Sequence, residues 1–292
     1  MHYPRTLRSG GAGSSGAAAD EVWLPAVGRA LGGPARVVDR AVLAGGYVSD
    51  AVQRIDLDVD GRAVAVVLKA ASPVEVAAMR AVAVVGGAPR PLAVGSGWLV
   101  VPFVDGAPLA DGAPVPDAVW EVLARVHAHW LRKRPRGLPV VDGREWAALC
   151  DRTLVAVRGG LARTGDAAFA DASWALGSWR TDPRILRALA TLPRTLCHGD
   201  PHRGNVLGDV LIDWGNARVA PAGLDLAVLR AQGAVVPALY TDLIAGGSPG
   251  EQHWADLHVN VQYLGFAADH LGPARVAEMV AAGAEALDQL SG

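Results

Sequence analysis

The chain of 292 residues contains only two cysteines, Cys150 and Cys197. Two cysteines cannot form a disulfide framework, and their spacing fits no zinc site, so we expect both to be small core residues. No apolar run reaches the roughly 18 residues that a membrane span requires. The N-terminus also lacks the basic and then apolar pattern of a signal peptide. We therefore expect a cytoplasmic protein that does not act at a membrane.

Charge is scarce and nearly balanced. Charged residues make up 19% of the chain and the net charge is −2, so the composition does not support a general nucleic-acid partner. The basic run at 132–136, RKRPR, is the local exception, and we interpret it as a solvated loop after a helix. The hydrophobic fraction of 51% is instead typical of a compact globular protein.

A strand-rich part precedes a helical part along the chain. The segment 1–19 is rich in Gly, Ser and Ala and is predicted to be a disordered tail. We predict an α+β fold with a small β-rich N-lobe over 20–104 and a larger helical C-lobe over 105–292. In the N-lobe, we expect a helix at 21–31, strands within 36–69 about an Asp60-Gly61 turn, a helix opened by Ser72-Pro73, and a strand at 98–104. In the C-lobe, helical spacing recurs at 117–130, 144–158, 166–179, 183–191 and after a strand-rich island at 195–219.

The island at 195–219 carries polar residues at a distinctive spacing. Asn205 follows Asp200 by five residues, and Asp213 follows Asn205 by eight. Two short apolar strands about a Gly208-Asp209 turn separate the latter pair, so Asn205 and Asp213 should face one another across a hairpin. Amide and carboxylate oxygens are ligands that Mg²⁺ accepts. Asp200 is then left to orient a hydroxyl nucleophile and accept its proton.

Each part of this pattern also has an ordinary structural interpretation. Asp, Gly and Asn are common in turns, and Asp200 alone would more often be a turn or cap residue. Lys69 ends an apolar strand, where its ammonium can reach the phosphates of a nucleotide. The alternative is a strand-end lysine that merely extends into water. Only the combination of Lys69 with the island favours phosphoryl transfer.

Taken together, the motifs resemble the aminoglycoside phosphotransferase/choline kinase branch of the protein-kinase-like fold. The family's H-G-D-x-x-x-x-N motif is matched by HGDPHRGN (198–205), and its I-D-W/F motif by IDW (212–214). A G/P-x-x-D-L-A stretch is matched within PAGLDLA (221–227). Less specific similarities are LAGGYVSD (43–50) to the nucleotide loop, LVVPFVDG (99–106) to the hinge and RVHA (125–128) to the helix that ends in L-H-a. The matched motifs span about residues 40–230 in order.

The resemblance implies a bilobal fold, ATP and Mg²⁺ as cofactors, and a small-molecule acceptor for a monomer or homodimer. The roles that it implies fall into three groups: catalytic Asp200, Lys69 and Glu75; nucleotide-binding Gly45, Gly46, Ser49, Lys69, Pro102 and Val104; and metal-binding Asn205 and Asp213.

The implied partner of Lys69 competes with a local role. Glu75 is the only carboxylate between Lys69 and Asp105, so it is the sole nearby candidate for the glutamate that pairs with the lysine in this family. Glu75 also occupies the capping-box position after Ser72. The sequence leaves both roles open.

The implied hinge departs from the usual pattern at Pro102, which has no N–H to donate to adenine. Its carbonyl can still accept a hydrogen bond from the adenine amino group. Phe103 or Val104 can then supply the donor.

The acceptor is predicted to be cationic. The segment 240–292 contains seven acids and one basic residue other than His, a net charge of −6, and it also holds Trp254, Tyr263 and Phe266. In the family that the chain resembles, the C-terminal helices wall the acceptor pocket, where carboxylates and aromatic faces attract amines. The alternative is that the acids lie on solvated helix faces and the aromatics belong to the core.

The function that the resemblance implies is that of a small-molecule kinase. The family includes antibiotic resistance kinases and metabolic kinases of choline, homoserine, amino sugars and ketosamines. Two alternatives stay open, a catalytically inactive pseudokinase that binds a nucleotide or partner, and a nucleotidyl-transferring variant of the same fold. The absence of an A-P-E segment after Asp213 argues against a protein kinase.

Overall fold

The computed structural model describes residues 19–43, 52–244 and 248–290. Gly45, Gly46 and Ser49 lie outside these ranges, as does the predicted tail apart from Ala19. The chain divides into two compact units. The first unit comprises residues 1–122, 135–137 and 202–217, and the second comprises residues 123–134, 138–201 and 218–292. The predicted lobes, 20–104 and 105–292, are drawn differently and stay a prediction.

The first unit contains a five-stranded antiparallel sheet in the order β1-β2-β3-β5-β4. Its strands are β1 (Ala35–Val42), β2 (Gln53–Val59), β3 (Arg62–Ala70), β4 (Ala93–Gly95) and β5 (Trp98–Pro102). The turn between β2 and β3 has positive φ angles at both Asp60 (52°) and Gly61 (79°). A two-residue hairpin of this kind matches the twist of its strands, so the predicted Asp60-Gly61 hairpin is confirmed.

Two helices belong to the same unit, α1 (Asp20–Leu31) and α2 (Pro73–Ala83). Trp23 and Val27 of α1 are fully buried in one core cluster with side chains of β2 and β3. Ser72 caps α2, since its hydroxyl oxygen accepts the Glu75 N–H at 3.1 Å. Both predicted helices are therefore confirmed, and α2 begins at the expected proline.

A small hairpin completes the described secondary structure of the first unit. Strand β7 (Val206–Leu207) pairs with β8 (Val210–Leu211) in antiparallel fashion, with Val206 opposite Leu211. Gly208 has a φ of 54° in the turn between them. One short 3₁₀ segment, 203–205, precedes this hairpin and another, 214–216, follows it. The two predicted short strands are confirmed.

Helices dominate the second unit. Helix α3 (Asp117–Trp130) begins in the first unit and belongs to the second from residue 123 onward. The others are α4 (Gly143–Thr164), α5 (Ala167–Trp179), α6 (Pro183–Thr191), α7 (Gly223–Arg230), α8 (Ala238–Leu243), α9 (Pro249–His270) and α10 (Pro273–Gln289). Strands β6 (Thr195–Cys197) and β9 (Arg218–Ala220) pair antiparallel. The helices bury one core that includes both cysteines, and the predicted β-then-α order is confirmed.

In the described ranges, no helix combines the length and the hydropathy that a bilayer crossing needs.

Candidate active site

In the first unit, Lys69 near the end of β3 forms two ion pairs. Its Nζ contacts Glu75 Oε1 on α2 and lies 3.0 Å from Asp213 Oδ1. The Lys69 side chain is 17% exposed and the Glu75 side chain 7%, whereas that of Asp213 is 53% exposed. The structure thus joins three predicted site residues, and one of the two carboxylates remains accessible to solvent.

Burial and charge oppose one another at Lys69. Desolvation disfavours the ammonium, but the carboxylates of Glu75 and Asp213 outweigh it and raise the pKa of Lys69. Burial raises the pKa of Glu75, against the effect of the Lys69 charge. Because the ammonium is the form that both carboxylates favour, Lys69 is a stable cation.

The two roles left open for Glu75 are divided between its atoms. The backbone N–H of Glu75 donates to the Ser72 hydroxyl in the helix cap. Its carboxylate contacts Lys69 instead. The cap at Ser72 and the ion pair with Lys69 are therefore compatible in one residue.

Asn205 and Asp213 flank the ends of the β7–β8 hairpin. The Ile212 N–H donates to the Asn205 backbone carbonyl at 2.8 Å, which extends the hairpin toward Asp213. Asp213 has a φ of 62°, which is uncommon for a residue other than glycine. Asn205 is 8% exposed. An amide oxygen and a half-exposed carboxylate at adjoining hairpin ends fit Mg²⁺, which takes oxygen ligands and few of them from protein.

The predicted hinge lies at the end of β5. Pro102 pairs with Val66 of β3, and the Phe103 N–H donates to Ala65 O at 3.0 Å. Because this N–H is used within the sheet, Phe103 is a poor candidate for the adenine donor. Val104 is the remaining candidate of the two.

Asp200 belongs to the second unit, in the loop after β6. Gly199 has a φ of 82°, a backbone conformation that favours glycine. The Asp200 N–H donates to His198 Nδ1 at 3.3 Å, so the fully buried His198 supports the loop from within.

Asp225 of α7 holds the same loop from outside. Its Oδ2 accepts the His198 N–H and its Oδ1 the Gly199 N–H, both at 2.8 Å. Its Oδ2 also lies 3.0 Å from His127 Nε2. An ionised carboxylate only accepts, so Nε2 donates to Asp225, and the His127 Nδ1 shares a second hydrogen bond of 2.7 Å with the Tyr240 hydroxyl. Burial opposes ionisation of Asp225, but these donors outweigh it and lower the pKa of Asp225.

Comparison with known proteins settles the family. A profile of the phosphotransferase enzyme family (APH) matches residues 40–258. The chain belongs to this family. The protein is therefore a small-molecule kinase, as the motifs predicted. No curated protein sequence matches this phosphotransferase.

Solved structures share the fold of this phosphotransferase. A choline/ethanolamine kinase family protein from Mesorhizobium loti is 19% identical, with 87% of this chain and 92% of that chain covered and a TM-score of 0.57. Choline kinase LicA from Streptococcus pneumoniae is 12% identical, with 88% and 94% covered and a TM-score of 0.57. A thermostable mutant of aminoglycoside phosphotransferase APH(4)-Ia, in a ternary complex with ADP and hygromycin B, is 14% identical, with 88% and 95% covered and a TM-score of 0.55. These similarities confirm the predicted α+β, protein-kinase-like fold class.

Four of the seven acids over 240–292 form ion pairs with arginines in the folded phosphotransferase. Glu251 is buried and accepts the Gly223 N–H at 2.7 Å at the start of α7. Four other acids are in ion pairs: Asp256 with Arg230 (2.7 Å), Asp269 with Arg163 (3.1 Å), Glu278 with Arg275 (2.7 Å) and Asp288 with Arg184 (3.5 Å). Three of these arginines lie outside 240–292 and halve its net charge of −6, which weakens the charge argument for a cationic acceptor.

Helix α9 supplies two contacts to the Asp200 loop that sequence reasoning missed. Gln262 Nε2 donates to Gly199 O at 3.0 Å. The neighbouring Tyr263 donates its hydroxyl to Asp200 Oδ1. Tyr263 was noted only as a possible aromatic wall, and no local pattern in the sequence connects residues about sixty positions apart. For Asp225 and His127 the signal was present, since both lie in motifs that resemble the family's.

Proposed function

We propose that this protein transfers the γ-phosphoryl group of ATP, bound with Mg²⁺, to a hydroxyl of a small cationic molecule in the cytoplasm. The observation that carries the proposal is the pairing of Lys69 with Glu75 and Asp213 in a chain of the phosphotransferase family. The mostly buried pair of Lys69 and Glu75 is costly for stability alone, because both of its charges must be desolvated. A phosphate-binding role explains why it is there.

The first unit supplies the nucleotide and metal ligands. Lys69 would bind the phosphates while Glu75 holds its ammonium in place. Asn205 and Asp213 would hold Mg²⁺, which when bound neutralises charge on the phosphates. For adenine, we propose the Pro102 carbonyl as acceptor and the Val104 N–H as donor. Gly45, Gly46 and Ser49 are proposed to contact the nucleotide on the motif alone.

Asp200 in the second unit would act on the acceptor. Its carboxylate orients the acceptor hydroxyl and takes its proton as the oxygen–phosphorus bond forms. The bond between the γ-phosphorus and the bridging oxygen breaks, and ADP leaves with that oxygen. The proton is then released from Asp200 to solvent.

A cationic acceptor is supported by aromatic side chains rather than by the acidic excess. Tyr263 and Phe266 lie one turn apart on α9, both are partly exposed, and Tyr263 contacts Asp200. Partly exposed aromatic faces beside a catalytic carboxylate can bind an ammonium group. Two of the similar structures are named as choline kinases or their family, and another holds hygromycin B. An aminoglycoside acceptor would make the protein an antibiotic resistance enzyme.

The decisive experiment measures ADP release with ATP and Mg²⁺ over a panel of hydroxylated amines that includes choline, glucosamine and hygromycin B. Glucose is the matched neutral partner of glucosamine, and each pair is compared at low and high salt. We expect kcat/KM to favour the amine. A neutral or anionic acceptor that is preferred at every ionic strength contradicts the acceptor class.

The same assay tests the catalytic carboxylate. Asp200→Ala should lower kcat by about 10²–10⁴-fold, the usual contribution of a positioned base, with ATP affinity largely unchanged. A variant that keeps the wild-type kcat refutes the role of Asp200. ATP binding without ADP release from any acceptor would instead favour the nucleotide-binding pseudokinase.

A further inference from the structure

Helix α9 contacts two consecutive residues of the loop that carries Asp200. Gln262 donates to the Gly199 carbonyl at 3.0 Å, and Tyr263 donates to the Asp200 carboxylate. Asp225 of α7 accepts hydrogen bonds from the backbone amides of His198 and Gly199 in the same loop. Asp225 of α7 thus holds the loop at its backbone, whereas α9 contacts both the backbone and the Asp200 carboxylate.

The contact to the carboxylate is unlike the others because it acts on a side chain. The amide bonds from His198 and Gly199 fix the backbone, but they leave the χ torsions of Asp200 unspecified. The Tyr263 hydroxyl engages Oδ1 of the carboxylate directly. A carboxylate has about four lone-pair sites, so one hydrogen bond at Oδ1 does not exhaust its capacity as an acceptor.

The helix that carries Tyr263 is suited to hold a side chain in place. It spans 22 residues, and Val261 and Leu264, on either side of Gln262 and Tyr263, are at most 1% exposed. Tyrosine has few rotatable bonds, so its hydroxyl is placed at a small cost in side-chain entropy. Sites built on such elements hold their geometry better than sites built on loops.

We propose that Tyr263 is a positioning residue that fixes the orientation of the Asp200 carboxylate for the acceptor hydroxyl. The inference rests on the proposed role of Asp200 as the catalytic carboxylate. Its hydroxyl hydrogen bond to Oδ1 restrains the rotamer of Asp200. Loss of that bond costs turnover because a displaced base no longer meets the hydroxyl at the productive geometry.

The first test is a double-mutant cycle on the free chain, which needs no acceptor. The unfolding equilibrium is measured by urea denaturation for wild type, Tyr263→Phe, Asp200→Ala and the double variant. Hydrogen bonds to charged groups contribute about tenfold or more to such an equilibrium, so we expect a coupling of about tenfold. Tyr240→Phe removes a hydroxyl that is hydrogen-bonded to His127, so its cycle with Asp200→Ala should be close to additive. Additivity of Tyr263→Phe and Asp200→Ala overturns the proposal.

The second test measures turnover of Tyr263→Phe as ADP release with choline, glucosamine, hygromycin B and water alone. Positioning predicts that kcat falls by about 10-fold to 100-fold, while KM for the acceptor and the affinity for ATP change little. A lower KM with unchanged kcat overturns the proposal, because the tyrosine would then occupy the place of the acceptor hydroxyl. An unchanged kcat and KM overturn it as well.

The two tests separate this inference from the proposed function. If Asp200→Ala keeps wild-type turnover, the catalytic assignment is wrong, whatever the cycle shows. If Asp200→Ala abolishes turnover and Tyr263→Phe does not lower kcat, the assignment stands and the positioning role is wrong.

Discussion

Asp225→Asn should destabilise the protein strongly, because Asp225 joins α7, α3 and the Asp200 loop through one buried carboxylate. The side chain is fully buried and accepts three hydrogen bonds, from the amides of His198 and Gly199 and from the ring of His127. Asparagine replaces one acceptor oxygen by an NH₂ group, which then faces a donor. If the NH₂ group takes the place of Oδ1, the hydrogen bond from Gly199 is lost. If it takes the place of Oδ2, the hydrogen bonds from His198 and His127 are lost.

The magnitude follows from those bonds. Each hydrogen bond to a charged group contributes about 1.5–3 kcal/mol, so the loss is roughly 2–6 kcal/mol before compensation. The neutral amide is easier to bury than a carboxylate, which reduces the loss. We therefore expect a decrease of about 2–4 kcal/mol in the free energy of unfolding at pH 7.

The effect should also depend on pH. Because the folded state lowers the pKa of Asp225 below that of the unfolded chain, its contribution is present above about pH 4 and is lost as the pH falls. The stability difference between wild type and Asp225→Asn should accordingly be full at pH 7 and shrink below about pH 4.

The assay is urea denaturation followed by tryptophan fluorescence, with the m-value checked for two-state behaviour. Asp256→Asn is the matched control, since Asp256 pairs with Arg230 at 2.7 Å but both side chains are partly exposed, 37% and 27%. An exposed pair contributes at most about 1 kcal/mol. A loss below about 0.5 kcal/mol for Asp225→Asn, or a loss equal to that of Asp256→Asn, would refute the reasoning.

Three further predictions concern the first unit. Glu75→Gln should lower kcat by about 10-fold or more because Lys69 loses the more buried of its two carboxylate partners, while Ser72→Ala should cost about 1 kcal/mol of stability and leave kcat near normal; equal kcat values in the two variants would argue against an ion-pair role. Asp213→Ala should abolish the Mg²⁺ dependence of ATP binding in calorimetry, and an unchanged dependence would exclude it as a ligand. Val104→Pro removes the proposed adenine donor and should weaken ATP binding by about 10-fold relative to Val104→Ala; equal affinities would place the donor elsewhere.

Local features of the structure were predictable because neighbouring residues decide them. The Asp60-Gly61 hairpin and the start of α2 at Pro73 follow from backbone preferences within a few positions. The helices predicted over 117–130 and 166–179 end where the apolar spacing ends, and both ends, Trp130 and Trp179, agree with the structure. The family could be predicted as well, because its motifs are also short stretches of sequence.

Other features could not be predicted from neighbouring residues, since they depend on which helices and strands pack against one another. Glu75 had two compatible roles in the sequence, and only the approach of α2 to β3 shows its carboxylate on Lys69. Phe103 was one of two candidate donors until its N–H was found on Ala65. The Tyr263 contact to Asp200 joins residues far apart in the chain, so no spacing rule indicates it.

The sequence by itself determined the α+β class, the order of the elements and the kinase motifs, because periodicity, turn chemistry and motif spacing act over short distances. Tertiary structure alone decided how charges are partnered. The acids of 240–292 looked like an uncompensated excess along the chain, and folding brings Arg163, Arg184 and Arg230 from other helices to three of them. Coulomb interactions depend on distance in space rather than in sequence, and for that reason net charge over a segment does not predict the charge that a ligand meets.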